Sequence, residues 1–246
     1  MKNHLTTLFY GVQNFDEFIK GIQQAVNQLP PKGIFTGDNL FTYSRNLGFL
    51  DDEAFMAAFN KNVETEEEKS IIWRNHTLCW AAWNAMRLDG DLIECACYKG
   101  TTARIVCDYL DFGKSEKQYY LYDLFEHSVE MDHHGLPDHG VDLYEKVKQR
   151  FADLKNVHVI QGSVPEIMHQ FAPEKISLLH LDLNGAAAEV GALEFLFDRI
   201  VPGGVIVLDD YGWLGYSAQK KAEDPFFAAR GYRVLELPTG QGMVIK

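Results

Sequence analysis

From residue 90 onward, short apolar runs alternate with amphipathic stretches of helical length, and this alternation constrains the fold more than any other feature of the chain. Strands are expected at Leu92–Ala96, Gln118–Asp123 (QYYLYD), Val157–Gln161 (VHVIQ), Ile176–Asp182 (ISLLHLD) and Val205–Asp209 (VIVLD). The spacing predicts helices near 102–111, 142–152, 165–171 and 187–199, a turn at Pro202-Gly203-Gly204, then a helix near 216–229 and strands near 232–237 and 242–246. Parallel strands cannot be joined by a tight turn, and each crossover needs a helix to cover one sheet face. The pattern therefore predicts an α/β fold with a Rossmann-like, doubly wound parallel sheet.

Residues 1–88 have a different texture and read as a helical N-terminal extension to a sheet domain over 89–246. Phe15, Phe18, Ile19, Ile22 and Val26 follow helical spacing until Pro30-Pro31 stops the run, and a loop through Gly33 and Gly37 follows. Phe55, Met56 and Phe59 mark another helix. Thr65-x-x-Glu68 forms a capping box ahead of Ile71, Ile72, Leu78, Trp80 and Trp83. Trp73, Trp80 and Trp83 read as core. The extension is expected to cover an acceptor or to form an oligomer interface.

Charge narrows the partners. The 246 residues carry 35 acidic and 23 basic side chains, a net charge of −12. Such a field repels phosphate backbones and anionic lipid, which argues against nucleic-acid and membrane partners. No apolar run approaches the ~20 residues that cross a bilayer. The opening MKNHLTTLFYGVQNF has no continuous apolar segment of the secretory kind, so a cytoplasmic protein is expected. Cys79, Cys95, Cys97 and Cys107 form no C-x-x-C pair and read as buried, reduced thiols.

In a doubly wound sheet, ligands bind beyond the carboxyl ends of the strands. The residues at those ends are Glu94–Gly100, Asp123, Gln161–Ser163, Asp182 and Asp209–Asp210, and acid stands at four of these five places. Asp123, ending the second strand, suits the hydroxyls of a ribose. The turn Glu94–Gly100 lacks G-x-G-x-x-G and holds a carboxylate where a diphosphate would need close backbone approach. A nucleoside without diphosphate fits better, and a dehydrogenase is disfavoured. Asp182, Asp209 and Asp210 read either as exposed turn carboxylates or as a hard-cation site for Mg²⁺, which would acidify a substrate hydroxyl.

The connection 124–141 gathers His127, His133, His134 and His139 with Glu126, Glu130, Asp132 and Asp138. It reads as a lid supplying a base, as an ordinary exposed loop, or as a zinc set whose spacing matches no established pattern. His180 reads as a satisfied core imidazole. Trp213 and Tyr216 are candidates for acceptor contact, with Tyr211 packing beneath the acidic loop.

The stretches GDLIECACYKGTTARI (90–105), YDLFE (122–126), IQG (160–162), LLHLDLN (178–184) and PGGVIVLDDYG (202–212) resemble the macrocin O-methyltransferase (TylF-like) family of class I S-adenosylmethionine-dependent methyltransferases. The resemblance spans about residues 85–246 with order and spacing kept. It implies a seven-stranded sheet with an antiparallel last strand. It also implies that Glu94, Ala96, Tyr98, Gly100 and Thr102 line the methionine end of S-adenosylmethionine, and that Asp123 holds the ribose. Phe125, Gln161, Gly162 and Ser163 would border adenine. Asp182, Asp209 and Asp210 would hold Mg²⁺, with Asp182 also the base for the acceptor hydroxyl.

The implied activity is Mg-assisted O-methylation of a sugar or glycosylated small metabolite by a homo-oligomer. Three departures from the family pattern stand out. Ala96 replaces the glycine of E-x-G, Thr101 replaces the second glycine of G-G-S, and Asn184 replaces an acid after the fourth strand. Two other readings stay open: a metal-independent N- or carboxyl-methyltransferase, and a non-catalytic S-adenosylmethionine-binding accessory protein.

Overall fold

The computed structural model describes residues 2–128, 130–131 and 135–246. The chain divides into two compact units, Met1–His76 and Thr77–Lys246.

The first unit is built on a small sheet as well as on helices, where helices and loops alone were expected of the extension. Strands β1 (His4–Leu5) and β2 (Ile34–Gly37) pair in parallel, and β3 (Leu40–Tyr43) pairs antiparallel with β2. Asp38 and Asn39 make the two-residue hairpin turn with φ of 52° and 55°. Two left-handed residues in a row match the twist of a hairpin, and Asp and Asn tolerate them best after glycine. Arg74 grips that turn through a bidentate pair with Asp38, both contacts at 2.7 Å. The expected loop at Gly33–Gly37 is therefore mostly strand.

Four helices complete the first unit and lead out of it. Helix α1 (Phe15–Asn27) is capped by Asn14, α2 (Glu53–Asn62) by Asp52, and α3 (Glu66–Ser70) by the expected box of Thr65 and Glu68. Phe35, Phe49 and Trp73 pack ring against ring, as do Phe49, Phe55 and His76. The division between the units falls inside α4 (Ile72–Ala85), a dozen residues before the boundary that composition suggested. Trp80 and Trp83 on this helix are about half exposed, so they are not core; Arg87 lies over the Trp83 ring.

In the second unit the strands are β4 (Asp91–Cys95), β5 (Tyr119–Asp123), β6 (Val157–Gln161), β7 (Ile176–Leu181), β8 (Ile200–Leu208), β9 (Leu235–Glu236) and β10 (Gly242–Ile245). They form one seven-stranded sheet in the order β6-β5-β4-β7-β8-β10-β9. Strands β4 to β8 are mutually parallel, and β10 runs antiparallel to both its neighbours. The expected doubly wound, seven-stranded fold is present. Chain order turns back between β4 and β7, which places the ligand crevice of such sheets at the carboxyl ends of those two strands.

Helices α5 (Thr101–Leu110), α6 (Leu143–Arg150), α7 (Met168–Phe171), α8 (Ala186–Leu196) and α9 (Ser217–Ala229) follow the strands. Two boundaries differ from expectation. Only the second half of 165–171 is helical. The Pro202-Gly203-Gly204 turn lies inside β8, where the pairing with β7 shifts register. There the terminal strand catches it: Gly203 N–H donates to the Lys246 carbonyl at 2.6 Å, and Lys246 N–H to Gly204 at 2.9 Å. Among the described residues, no helix is long and apolar enough to cross a membrane.

Leu92, Ile93, Leu178, Leu179, Ile206 and Val207 are buried on the central strands. Helices on both faces explain why these strands read as continuous apolar runs. Leu179→Ala is expected to cost about 2–5 kcal/mol of unfolding free energy, because a fully enclosed cavity replaces the side chain. Urea denaturation checks this, and a loss under 1 kcal/mol would mean that the core relaxes around the gap.

Candidate active site

Backbone hydrogen bonds stitch the strand ends into one edge. Ala96 N–H donates to the Tyr122 carbonyl (2.7 Å), Gly162 to Asp123 (3.0 Å), Asp182 to Cys95 (3.2 Å) and Asp209 to Leu181 (2.9 Å). Among the described residues, the sequence-predicted site residues lie on this edge, on the loops leaving it or in the first turn of α5.

The turn after β4 is the most contorted part. Ala96, Tyr98 and Gly100 alternate in the left-handed region, with φ of 65°, 48° and 70°. Only glycine adopts this conformation freely; each of the other two costs about 1 kcal/mol or more. A Cβ on Gly100 would lie 2.7 Å from the Phe151 ring, so glycine is required there by space as well as by backbone. Gly100 caps α5 without a side-chain bond, and the first turn of the helix, which includes the half-buried Thr102, holds no acid. Such a helix start presents backbone N–H donors to an anionic group.

Asp123 ends β5 as a buried carboxylate. Its Oδ2 accepts from Tyr98 N–H at 2.7 Å, and its Oδ1 from Phe125 N–H at 2.5 Å. These amides fix its orientation beside the β4 turn. Phe125 itself is fully buried with φ of 61° and packs on Tyr144, so its ring serves the core rather than an adenine surface. Gln161 and Ser163 are exposed; Gln161 donates to the Leu124 carbonyl at 3.1 Å, and Ser163 to Glu166 at 2.7 Å. Gly162 is held against Ile167, where a Cβ would approach to 2.7 Å.

Of the long connection, Asp132, His133 and His134 lie outside the described residues. The described part folds back on the β4 turn. Asp138 exchanges hydrogen bonds with the Tyr98 hydroxyl, both at 2.8 Å, and His139 packs edge-on against the Tyr98 ring. Gly140 N–H donates to the Phe125 carbonyl at 3.0 Å.

Glu94 is buried with its carboxylate turned along the sheet. Tyr119 O–H donates to Glu94 Oε2 at 2.8 Å, and His180 Nδ1 stands 3.3 Å from the same oxygen. On the other side of that ring, His180 Nε2 lies 3.5 Å from Asp209 Oδ1, which also accepts from Gln241 Nε2 at 2.8 Å. Burial alone would lower the His180 imidazole, but the Asp209 and Glu94 carboxylates outweigh it and push it up to about 10. The ring lies buried between two carboxylates and neither nitrogen meets hydrogen-bond geometry, unlike the satisfied imidazole that its place on an apolar strand suggested.

Asp182 is half-buried and Asp210 buried at the adjoining tips. Behind them Glu189 of α8 faces Glu223 of α9, both buried. Burial first, then the Glu223 carboxylate, raises Glu189 well above the ordinary carboxylate range. Gln219 Nε2 and Leu183 N–H donate to Glu189 at 2.8 and 3.1 Å. Sequence spacing gave no sign of this pair, since its members are 34 positions apart on two helices.

The donor set does not fit the implied magnesium site as it stands. Asp209 Oδ1 is committed to Gln241 and His180, and Asn184 supplies no charge. Among the described residues, no three carboxylate, imidazole or thiolate side chains gather into a metal shell, zinc included. Trp213 packs over Gly240, where a Cβ would reach within 2.2 Å of the indole nitrogen, and Tyr216 is half-buried. Tyr211 is buried and accepts from Lys220 Nζ at 2.6 Å, as expected of a residue beneath the acidic loop.

Residues 93–211 match a family profile described as a methyltransferase domain. No curated protein matches the chain by sequence. Among solved structures, the O-methyltransferase NovP aligns with a TM-score of 0.61 at 17% identity, covering 71% of this chain and 80% of NovP. CalS11, a TDP-rhamnose 3′-O-methyltransferase of calicheamicin biosynthesis, aligns at 0.57 with 10% identity over 97% of this chain and 96% of its own. A methyltransferase from Podospora anserina, solved with S-adenosylhomocysteine, aligns at 0.53 with 11% identity, covering 96% and 98%. Residues 93–211 thus match a methyltransferase domain on a sheet with the class I methyltransferase fold, and the match supports an enzyme of the methyl-transfer class.

A pH dependence of stability follows from the buried ring. Its pKa is raised from 6.5 in the unfolded chain to about 10. Its contribution is therefore complete below about pH 6.5 and is lost as pH rises toward 10. The Glu189–Glu223 pair adds a slope of the same sign from lower pH, so only a difference isolates the ring. Unfolding free energy should fall more steeply between pH 6.5 and 10 for the native chain than for His180→Gln; parallel slopes would show that the ring is neutral.

Proposed function

We propose that the chain is an S-adenosylmethionine-dependent O-methyltransferase acting on a hydroxyl of a sugar or glycosylated small metabolite, of the macrocin O-methyltransferase type. The observation that carries the reading is a juxtaposition. An oriented carboxylate, Asp123, stands beside an acid-free, uncapped helix start at Thr101, with the half-buried Asp182 on the neighbouring strand tip. The fold shared with NovP and with the sugar methyltransferase CalS11 supports it.

S-adenosylmethionine, when bound, supplies a methyl group made electrophilic by its sulfonium. Asp123 accepts from the ribose hydroxyls. The amides of the first turn of α5 meet the carboxylate of the methionine end. Glu94 acts from beneath, holding the end of β4 so that the contorted Ala96–Gly100 turn keeps its shape. Gln161 and Ser163 offer polar groups on the adenine side, a role that the buried Phe125 ring does not share. Asp182 takes the proton of the acceptor hydroxyl, which is too weak an acid to leave unaided at neutral pH. The negative surroundings from Asp210 and the Glu189–Glu223 pair suit a cationic cofactor.

Magnesium is left out of this scheme because Asp209 is already engaged by Gln241 and His180. The test is transfer of labelled methyl from S-adenosylmethionine to a panel of nucleotide sugars and glycosides, with and without EDTA. Expected are a methylated hydroxyl, no effect of EDTA, and a turnover loss of about 10²- to 10⁴-fold in Asp182→Asn with cofactor still bound. Methylation at nitrogen or carboxylate only, or none at all, would overturn the reading. A rate that requires magnesium would return Asp182, Asp209 and Asp210 to the metal role.

A further inference from the structure

One line of polar side chains crosses the sheet just beneath its carboxyl edge. It runs from Tyr119 on β5 to Glu94 on β4, His180 on β7, Asp209 at the end of β8, then Gln241 and Thr239 at the approach to β10. The contacts between successive members are 2.8, 3.3, 3.5, 2.8 and 2.9 Å. Glu94 and His180 are register partners on adjacent parallel strands, so their side chains leave the same face of the sheet side by side. All six residues are buried, and His180 is only 3% exposed.

Stability alone does not call for such a line. Buried ion pairs are often replaced by apolar residues at no cost, whereas removing one partner leaves an uncompensated charge. What the line does is geometric. His180 stands between the carboxylate under the cofactor-side turn and a carboxylate of the acceptor-side loop, two strands apart. Its Nδ1 lies 3.3 Å from Glu94 Oε2 and its Nε2 3.5 Å from Asp209 Oδ1, so the ring bridges the two carboxylates.

We propose that His180 is a positioning residue that fixes Glu94 and Asp209 at a set separation and so couples the shape of the Ala96–Gly100 turn to that of the Asp209–Asp210 loop. It does not touch substrate; it acts through Glu94 on one side and Asp209 on the other. This rests on the reading of the strand tips as a cofactor and acceptor site.

A double-mutant cycle on S-adenosylhomocysteine affinity, measured by calorimetry with the melting temperature of each protein alongside, tests the coupling. His180→Leu and Glu94→Gln should each weaken binding by about tenfold. The double variant should be no weaker than the worse single by more than about threefold, because the ring works through that carboxylate. A residue that merely supports the fold would shift melting temperature and leave the affinity of the folded protein unchanged. Tyr119→Phe keeps the core ring and removes only the donor to Glu94. It gives a readout even where the His180 variant does not fold, and it should weaken binding about threefold, with no further loss when combined with Glu94→Gln. Additive losses near a hundredfold, or unchanged affinity in Tyr119→Phe, would overturn the inference while leaving the cofactor reading standing. A native chain that ignores S-adenosylhomocysteine would overturn both.

Discussion

Four backbone hydrogen bonds between neighbouring strand tips, from Ala96, Gly162, Asp182 and Asp209, tie the ends of β6, β5, β4, β7 and β8 into one rim. Each is an ordinary ladder bond carried one residue past the strand. Together they fix where Asp123, Asp182 and Asp209 stand relative to one another, and no side-chain contact in the site would keep its geometry without them. The loops above the rim take up the strain: left-handed non-glycine residues occur at Ala96, Tyr98, Phe125 and Asn184. Strain of this kind persists only where surrounding structure over-determines the backbone.

The rim also concentrates negative charge, and each acid meets that cost differently. Asp123 accepts from two amides, Glu94 and Asp209 flank the His180 ring, and burial beside Glu223 raises Glu189 well above the ordinary carboxylate range. Among the described residues, cationic side chains near it have partners: Lys99 lies 3.7 Å from Asp138, Arg150 donates to the Thr101 hydroxyl at 3.4 Å, and Lys220 serves Tyr211 and Glu236. A site so arranged favours a ligand that brings positive charge with it.

Much of this was legible in the sequence. Period and punctuation located the sheet domain's strands, because strands buried on both faces are mostly apolar, and the acids that end them mark the candidate functional edge. Glu94 and Asp123 could be placed at that edge, but not their partners. Tyr119, His180 and Gln241 are 25 to 147 positions from Glu94, and only strand order reveals that they share one face. The first unit was read as helical because its strands are short, four residues at most, and their turn uses Asp38-Asn39 rather than a glycine signal. Trp80 and Trp83 misled for a different reason. Helical spacing shows that residues share a face, and it does not show whether that face is covered. The contacts of Asp209 with Gln241 and His180, which bear on the magnesium reading, are recorded by no spacing.

The central claim is that a sulfonium nucleoside lies across this rim. Amide chemical shifts of isotope-labelled protein titrated with S-adenosylhomocysteine test it most directly. The account predicts saturable changes confined to Ala96–Thr102, Asp123–Phe125 and Gln161–Ser163, with the first turn of α5 moving most. No change there at saturating ligand, or changes centred on another part of the chain, would contradict it.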